Sequence, residues 1–149
     1  MPHSYNRIWI HAISATKNRY PLIDPAVETE IYQHMKEQLV EAGCPVRIIN
    51  GMPDHVHLLF LLNPKLAVID ITQKVKGNTS HWINQIDLIE EKFAWQTGYA
   101  AYSVSDSQVE KVYQYILNQK QHHAKKSFPT EFNELAISHG LTPIELPTV

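Results

Sequence analysis

The stretch PVRIINGMPDHVHLLFLL, residues 45–62, decides the fold. Two short apolar runs, 45–50 and 55–62, flank Gly51-Met52-Pro53-Asp54, a cluster of turn residues that makes a β-hairpin the economical reading. Asn63-Pro64 ends the second strand. His55 and His57 stand at i and i+2 of that strand, and a pleat of period two points both imidazoles to one face. Val56, Leu58 and Phe60 belong partly to the opposite register, so the strand can bury one face and offer the histidines on the other.

Upstream, residues 5–14 mix β-branched and aromatic residues, with Ile8, Ile10 and Ala12 alternating against Trp9, His11 and Ile13, the pattern of a strand. Asp24-Pro25 predicts a helix start and Gly43 a stop, giving a helix over 25–42 with Val27, Ile31, Met35 and Leu39 as its apolar stripe. Downstream, Val68, Ile71, Val75, Trp82 and Ile86 suit a helix that Gly77 weakens in the middle, and 93–104 reads as a fourth strand. Ser105 with Gln108 three residues on is a capping-box pattern opening a helix over 106–124. Pro129 starts a last helix that Gly140 ends, and a loose tail is expected from about 141. The order β-α-β-β-α-β followed by helices predicts an α+β, ferredoxin-like split βαβ fold: a four-stranded antiparallel sheet with helices mostly on one face, plus a C-terminal helical segment.

The chain has 149 residues, 44% of them hydrophobic, which suits one domain over 1–149 with a real core. No apolar run is long enough to span a bilayer, and Met1 to Arg7 lacks a signal peptide's basic head and apolar segment. Cys44 stands alone, so no internal disulfide forms and a cytoplasmic home is expected. A formal charge of -2 means that any nucleic-acid binding must come from a local patch. Nine histidines, among them the close pairs His55/His57 and His122/His123, direct attention to metal binding and acid-base chemistry.

Two imidazoles on one strand face can hold a divalent ion, but a third ligand is needed. The helix after Ser105 offers one. Val109, Val112, Tyr113 and Ile116 form its core stripe, whereas Tyr115 lies roughly 110° away with Gln119, His122 and Lys126 near it on a polar flank. No acid occurs between Glu110 and Glu131, while Lys111, Lys120, Lys125, Lys126 and two histidines crowd that segment, a patch suited to phosphates. Alone, each feature has an ordinary reading as exposed strand histidines or a solvated helix. Together they suggest a reaction. A phenol with a pKa near 10 is a poor nucleophile, so attack on a phosphodiester needs a cation to stabilise the developing charge. His55, His57 and the Gln119 side-chain oxygen would leave positions open for that phosphate, and mixed nitrogen and oxygen donors suit Mg²⁺ or Mn²⁺.

His55-Val56-His57, then Tyr115-Ile116-Leu117-Asn118-Gln119 and His122-His123-Ala124-Lys125-Lys126-Ser127-Phe128, resemble the single-tyrosine transposases of the HUH endonuclease superfamily, the IS200-like and REP-associated enzymes. Ser14-Ala15-Thr16-Lys17, Lys76-Gly77-Asn78-Thr79-Ser80 and Trp95-Gln96-Thr97-Gly98-Tyr99 are similar to that family's pattern too, with Ala100 in place of an expected glycine. The resemblance implies that Tyr115 attacks single-stranded DNA, giving a 5′-phosphotyrosine and a free 3′-hydroxyl. It implies His55, His57 and Gln119 as metal ligands, with His122 able to replace or support Gln119. It also implies hairpin DNA as partner, a homodimer in which Tyr115's helix often completes the partner's histidine site, and no membrane. Lys17, Arg19, Lys74, Lys76, Lys125 and Lys126 are the candidates for backbone contacts. Competing readings are a domesticated hairpin-binding protein that does not cut, and a phosphoesterase using the histidine pair alone. His11, His34, His81 and His139 are expected to be structural or surface residues, and Cys44 a small apolar one.

Overall fold

The computed structural model describes residues 3–142; the expected loose tail with Pro143 and Pro147 falls outside the described residues, apart from its first two. Four antiparallel strands, β1 (Trp9–Ala15), β2 (Val46–Met52), β3 (His55–Leu61) and β4 (Ala100–Val104), form one sheet in the order β2-β3-β1-β4. The helices are α1 (Glu28–Glu41), α2 (Val68–Gln85), α3 (Val109–Leu117), α4 (Gln119–His122) and α5 (Phe128–Ser138). This is the α+β, ferredoxin-like arrangement that the hairpin and its neighbours predict.

Strand alternation sorts the side chains onto two packed faces. Ile10, Ala12, Val56, Leu58 and Phe60 pack beneath α1 and α2 against Ile31, Met35, Leu39, Ile71 and Val75, forming the larger core. Trp9, Ile13, Leu59 and Tyr102 point the other way and are covered by Val109 and Ile116 of α3 and Phe128 of α5. Both faces of the sheet are therefore dry, and helices cover both and not mostly one. His55 and His57 consequently lie in a fully buried layer, not on a partly exposed strand.

Several boundaries move for identifiable reasons. Asp24 accepts a hydrogen bond from the Ala26 amide at 2.8 Å, forming a turn that delays α1 to Glu28 instead of 25. Gly77 leaves α2 continuous, and the hairpin turn contracts to Pro53-Asp54 because Gly51 and Met52 still pair with Val56 and His55. The fourth strand begins at Ala100 and not at 93. Phe93 is drawn into the core, the Trp95 indole donates to the Lys76 carbonyl, and the backbone turns through Gly98 at φ +88°. The predicted capping box does not form: Ser105 makes no side-chain cap, and a short 3-10 turn over Asp106–Gln108 precedes α3. The single helix expected over 106–124 is interrupted at Asn118, whose ψ of 19° separates α3 from α4.

That interruption is anchored. The Asn50 side-chain amide donates to the carbonyls of Ile116 and Leu117 at 3.0 and 3.2 Å, which satisfies acceptors at the C-terminus of α3. Lys120 then ties α4 to the hairpin through the Gly51 carbonyl and to α1 through Glu28 at 3.0 Å. Gly51 itself is required by close approach. A Cβ there would fall on the His55 carbonyl oxygen and lie 2.8 Å from the Val56 Cα. Gly51→Ala is expected to lower stability by about 1–3 kcal/mol through this overpacking, read as a lower midpoint in urea unfolding.

Candidate active site

The covered face of the sheet gathers donors from four elements. β3 contributes His55 and His57, β1 contributes His11, the α3–α4 segment contributes Tyr115, Gln119 and His122, with His123 directly after it, and α5 contributes Glu131. His55, His57, Gln119 and Glu131 are almost completely buried, and Tyr115 is half-buried. The Gln119 amide oxygen stands 3.2 Å from His55 Nε2, so two of the three expected ligands touch. Tyr115 lies beside His57, ring centroids 5.9 Å apart, so the expected nucleophile and the histidine pair meet within one chain.

Glu131 is the centre of the cluster, and sequence reasoning passed over it. Its Oε1 lies 3.1 Å from His57 Nε2 and 3.3 Å from His55 Nε2. Its Oε2 accepts from Gln119 Nε2 at 3.0 Å and from the Tyr115 hydroxyl. His122 and His123 bring Nε2 to 3.2 and 3.1 Å of the same carboxylate without hydrogen-bond geometry, leaving two buried imidazole nitrogens without a proper partner. A sequence signal existed. Phe128, Glu131, Phe132, Leu135 and Ala136 follow the i, i+3, i+4, i+7, i+8 spacing of an apolar stripe, with a carboxylate in a core position.

Two further groups set the histidines' orientation. Asp54 Oδ1 lies 2.7 Å from His55 Nδ1; burial pushes the Asp54 carboxyl up, but His55 outweighs this and holds it below its ordinary value. An ionised carboxylate only accepts, so Nδ1 carries the proton and Nε2 turns toward Gln119 and Glu131. His11 Nε2 lies 2.8 Å from His57 Nδ1 inside the sheet face, so His11 belongs to the site's support as well as to the core. Burial lowers His57 to about 4 and His11, aided by His57, to about 3, so both are neutral at physiological pH. For His55, burial lowers the pKa but Asp54 and Glu131 together raise it above the ordinary value. Burial pushes Glu131 up, yet its contacts with His123, His55 and His57 hold it well below the usual carboxylate range. Burial and then Glu131 raise the Tyr115 phenol above its ordinary value, so in this state the hydroxyl keeps its proton.

The basic residues divide. Arg19 and Lys126 line a cleft of about 360 Å³ that also meets Asp54, His123 and Phe128, at the edge of the histidine cluster. Lys126 pairs with Glu134 at 2.6 Å, and Lys17 and Lys125 are exposed. Lys74 is exposed in the α2 layer. Lys76 donates to the carbonyls of Gln96 and Gly98 at 2.9 and 2.7 Å, so its ammonium shapes the 93–99 loop. Of the remaining histidines, His34 stacks on Trp82, His139 stacks on Tyr102, and His81 is exposed; Cys44 is buried. Among the described residues no helix is long and apolar enough to cross a membrane.

A four-stranded antiparallel sheet carrying a buried His-x-His pair beside a helical tyrosine defines the class, and the chain belongs to the IS200-like transposase family, whose model matches residues 4–119. It is 25% identical to the ISDra2 transposase TnpA of Deinococcus radiodurans over 114 residues, 73% of this chain and 81% of that protein. Among solved structures, a candidate transposase from Deinococcus radiodurans R1 superposes with a TM-score of 0.63 at 23% identity, covering 78% of this chain and 93% of that one. A REP-associated tyrosine transposase bound to a REP hairpin superposes with a TM-score of 0.61 at 13% identity over 99% of this chain and 90% of that one. At these identities the two superpositions establish the fold.

Proposed function

We propose that this transposase cleaves and rejoins single-stranded DNA through a 5′-phosphotyrosine on Tyr115, with Mg²⁺ or Mn²⁺ held by His55, His57 and Gln119. The observation that carries the reading is the meeting of those four side chains in one buried cluster of one chain. The donor set fits a divalent cation: imidazole nitrogens and an amide oxygen surround a buried carboxylate, and the His122 and His123 nitrogens lack hydrogen-bond partners. When bound, the cation supplies Lewis-acid stabilisation of the phosphate charge.

The chain's own groups account for the rest. The Tyr115 oxygen forms a bond to phosphorus as the bond to the 3′ oxygen breaks; the phenol loses its proton and the departing 3′ oxygen gains one. Reversal by another 3′-hydroxyl rejoins the strand, and the phosphotyrosine bond conserves the energy of the one it replaced. Asp54 and His11 hold the imidazoles in orientation, and removing such partners typically weakens metal binding 10–100-fold. Asp54→Ala is therefore expected to raise the Kd for Mn²⁺ by about 10–100-fold while the fold persists, measured by calorimetry. Arg19 and Lys126 at the cleft, with Lys17 and Lys125 nearby in sequence, are the proposed backbone contacts; Lys74 is kept as a more distant one, and Lys76 as a support of the 93–99 loop.

Hairpin DNA is the proposed partner, because the REP-associated tyrosine transposase of the same fold is bound to a REP hairpin. A homodimer is part of the proposal, since one tyrosine holds one strand end and two ends need two chains. The test is incubation with Mn²⁺ and labelled single-stranded hairpin oligonucleotides, followed by denaturing electrophoresis. A protein-linked label abolished by EDTA supports the reading. DNA binding without any adduct across a broad pool would support the domesticated, non-cutting alternative.

A further inference from the structure

Glu131 is unexplained by the tyrosine, the histidine pair and the glutamine. It comes from α5, beyond the segment 4–119 that the family model covers, and it sits in a core position of its helix at 1% exposure. A buried carboxylate needs a compensating partner. The groups that contact it are imidazoles, an amide and a phenol, none of them a permanent cation.

We infer that Glu131 is a metal ligand in its own right, completing with His55 and His57 a two-histidine, one-carboxylate site for a divalent cation. The inference rests on the proposed metal-dependent reading and adds to it a residue from outside the matched region. Three geometric facts support it. First, one ring nitrogen each of His55 and His57 and a Glu131 oxygen lie mutually within 4.8 Å, close enough to share one ion. Second, Glu131 Oε1 lies 3.3 and 3.1 Å from those nitrogens. Ligands cis to one another around an octahedral ion with bonds of roughly 2.1 Å are separated by about 3.0 Å, so these distances match the edges of a coordination polyhedron. Third, the Asp54 contact fixes the proton of His55 on Nδ1, and His123 likewise donates its Nδ1 proton to the Lys126 carbonyl at 2.7 Å. Both rings consequently turn Nε2 toward the carboxylate from different sides, at 3.3 and 3.1 Å from Oε1. Imidazole nitrogens converging on one carboxylate oxygen from several sides at about 3 Å outline a position that a shared cation would fill.

The position of Phe128 fits the same role. Its ring stacks on His55 with centroids 4.2 Å apart, fixing the start of α5 against the strand that carries the pair. Glu131, one turn on, is thereby delivered to the nitrogens by a packed helix and not by a mobile loop. A carboxylate is also a harder and more strongly binding donor for Mg²⁺ or Mn²⁺ than a neutral amide oxygen.

The experiment is titration of the full chain with Mn²⁺, free ion read by its electron paramagnetic resonance signal, for wild type, Glu131→Gln, Glu131→Asp and His57→Ala, each checked for folding by thermal unfolding. Glu131→Gln is expected to weaken Mn²⁺ binding by about 10-fold or more, with Glu131→Asp between it and wild type and His57→Ala without measurable binding. Affinity in Glu131→Gln equal to or greater than wild type, with binding still lost in His57→Ala, would overturn the inference alone: the carboxylate would then be standing in the cation's place. No Mn²⁺ binding by wild type, or none lost in His57→Ala, would overturn the underlying metal reading with it. If Glu131→Gln does not fold, Glu131→Asp decides, since unchanged affinity after withdrawing the carboxylate by one methylene contradicts a ligand role.

Discussion

Tyr115→Phe is expected to abolish cleavage and covalent attachment to DNA, a loss on the order of 10⁴-fold or more in rate, while binding of hairpin DNA persists. The expectation follows from what the substitution removes. The phenol oxygen is the proposed nucleophile, and its hydroxyl donates to Glu131 at the centre of the histidine cluster. Tyr113, two residues away, lies beneath the Arg47 guanidinium at 3.9 Å on a different side of the helix. The variant keeps the ring's packing beside His57 and loses one hydrogen bond to the Glu131 carboxylate, a change of about 1.5–3 kcal/mol in stability. Quantified adduct yield against time, with DNA binding measured in parallel, separates lost chemistry from lost recognition. Retained hydrolysis by this variant would revive the phosphoesterase reading.

His57→Ala should be nearly as severe. The residue is completely buried, its Nδ1 faces His11 and its Nε2 faces Glu131, so no neighbouring group can take its place without moving. Loss of a ligand from the proposed cation, which would stabilise several kcal/mol of transition-state charge, predicts a fall in cleavage of about 10³-fold or more. The vacated space adjoins Ile13 and the His11 ring, so a loss of stability of about 2–4 kcal/mol accompanies it. Measuring cleavage at a Mn²⁺ concentration well above the wild-type requirement distinguishes the two effects. Full recovery of rate at high Mn²⁺ would mean that His57 contributes affinity only.

Much of this was legible in residues 45–62 because the hairpin's period-two pattern is local: it places His55 and His57 on one face whatever packs there. Tyr115 and Gln119 were legible for a similar reason, four residues apart on a helix flank away from the apolar stripe. The break at Asn118 was not, because it depends on the Asn50 side chain reaching across from β2 to the last carbonyls of α3. The start of β4 at Ala100 was hidden by Phe93 and Trp95, whose aromatic character suits a strand but whose side chains are taken up by the core and by α2. Glu131 was noticed only as the end of an acid-free segment. Its place in an apolar stripe is a signal that this reading left unused, and the partners that give it meaning come from β3 and from the α3–α4 segment, distant in sequence. The support from His11 was missed likewise, because orientation of one imidazole by another across the sheet is a tertiary property that no spacing encodes, whereas Asp54, next to His55 in sequence, reads first as a turn residue.

The most direct test of the central claim is to trap wild-type protein with Mn²⁺ and a single-stranded hairpin oligonucleotide, digest with nuclease and trypsin, and locate the nucleotide adduct by mass spectrometry. Attack by Tyr115 predicts a phosphonucleotide on the tryptic peptide spanning residues 112–120, with fragmentation assigning it to Tyr115 and not Tyr113. An adduct on any other residue, or cleaved DNA with a free 5′-phosphate and unmodified Tyr115, would contradict it.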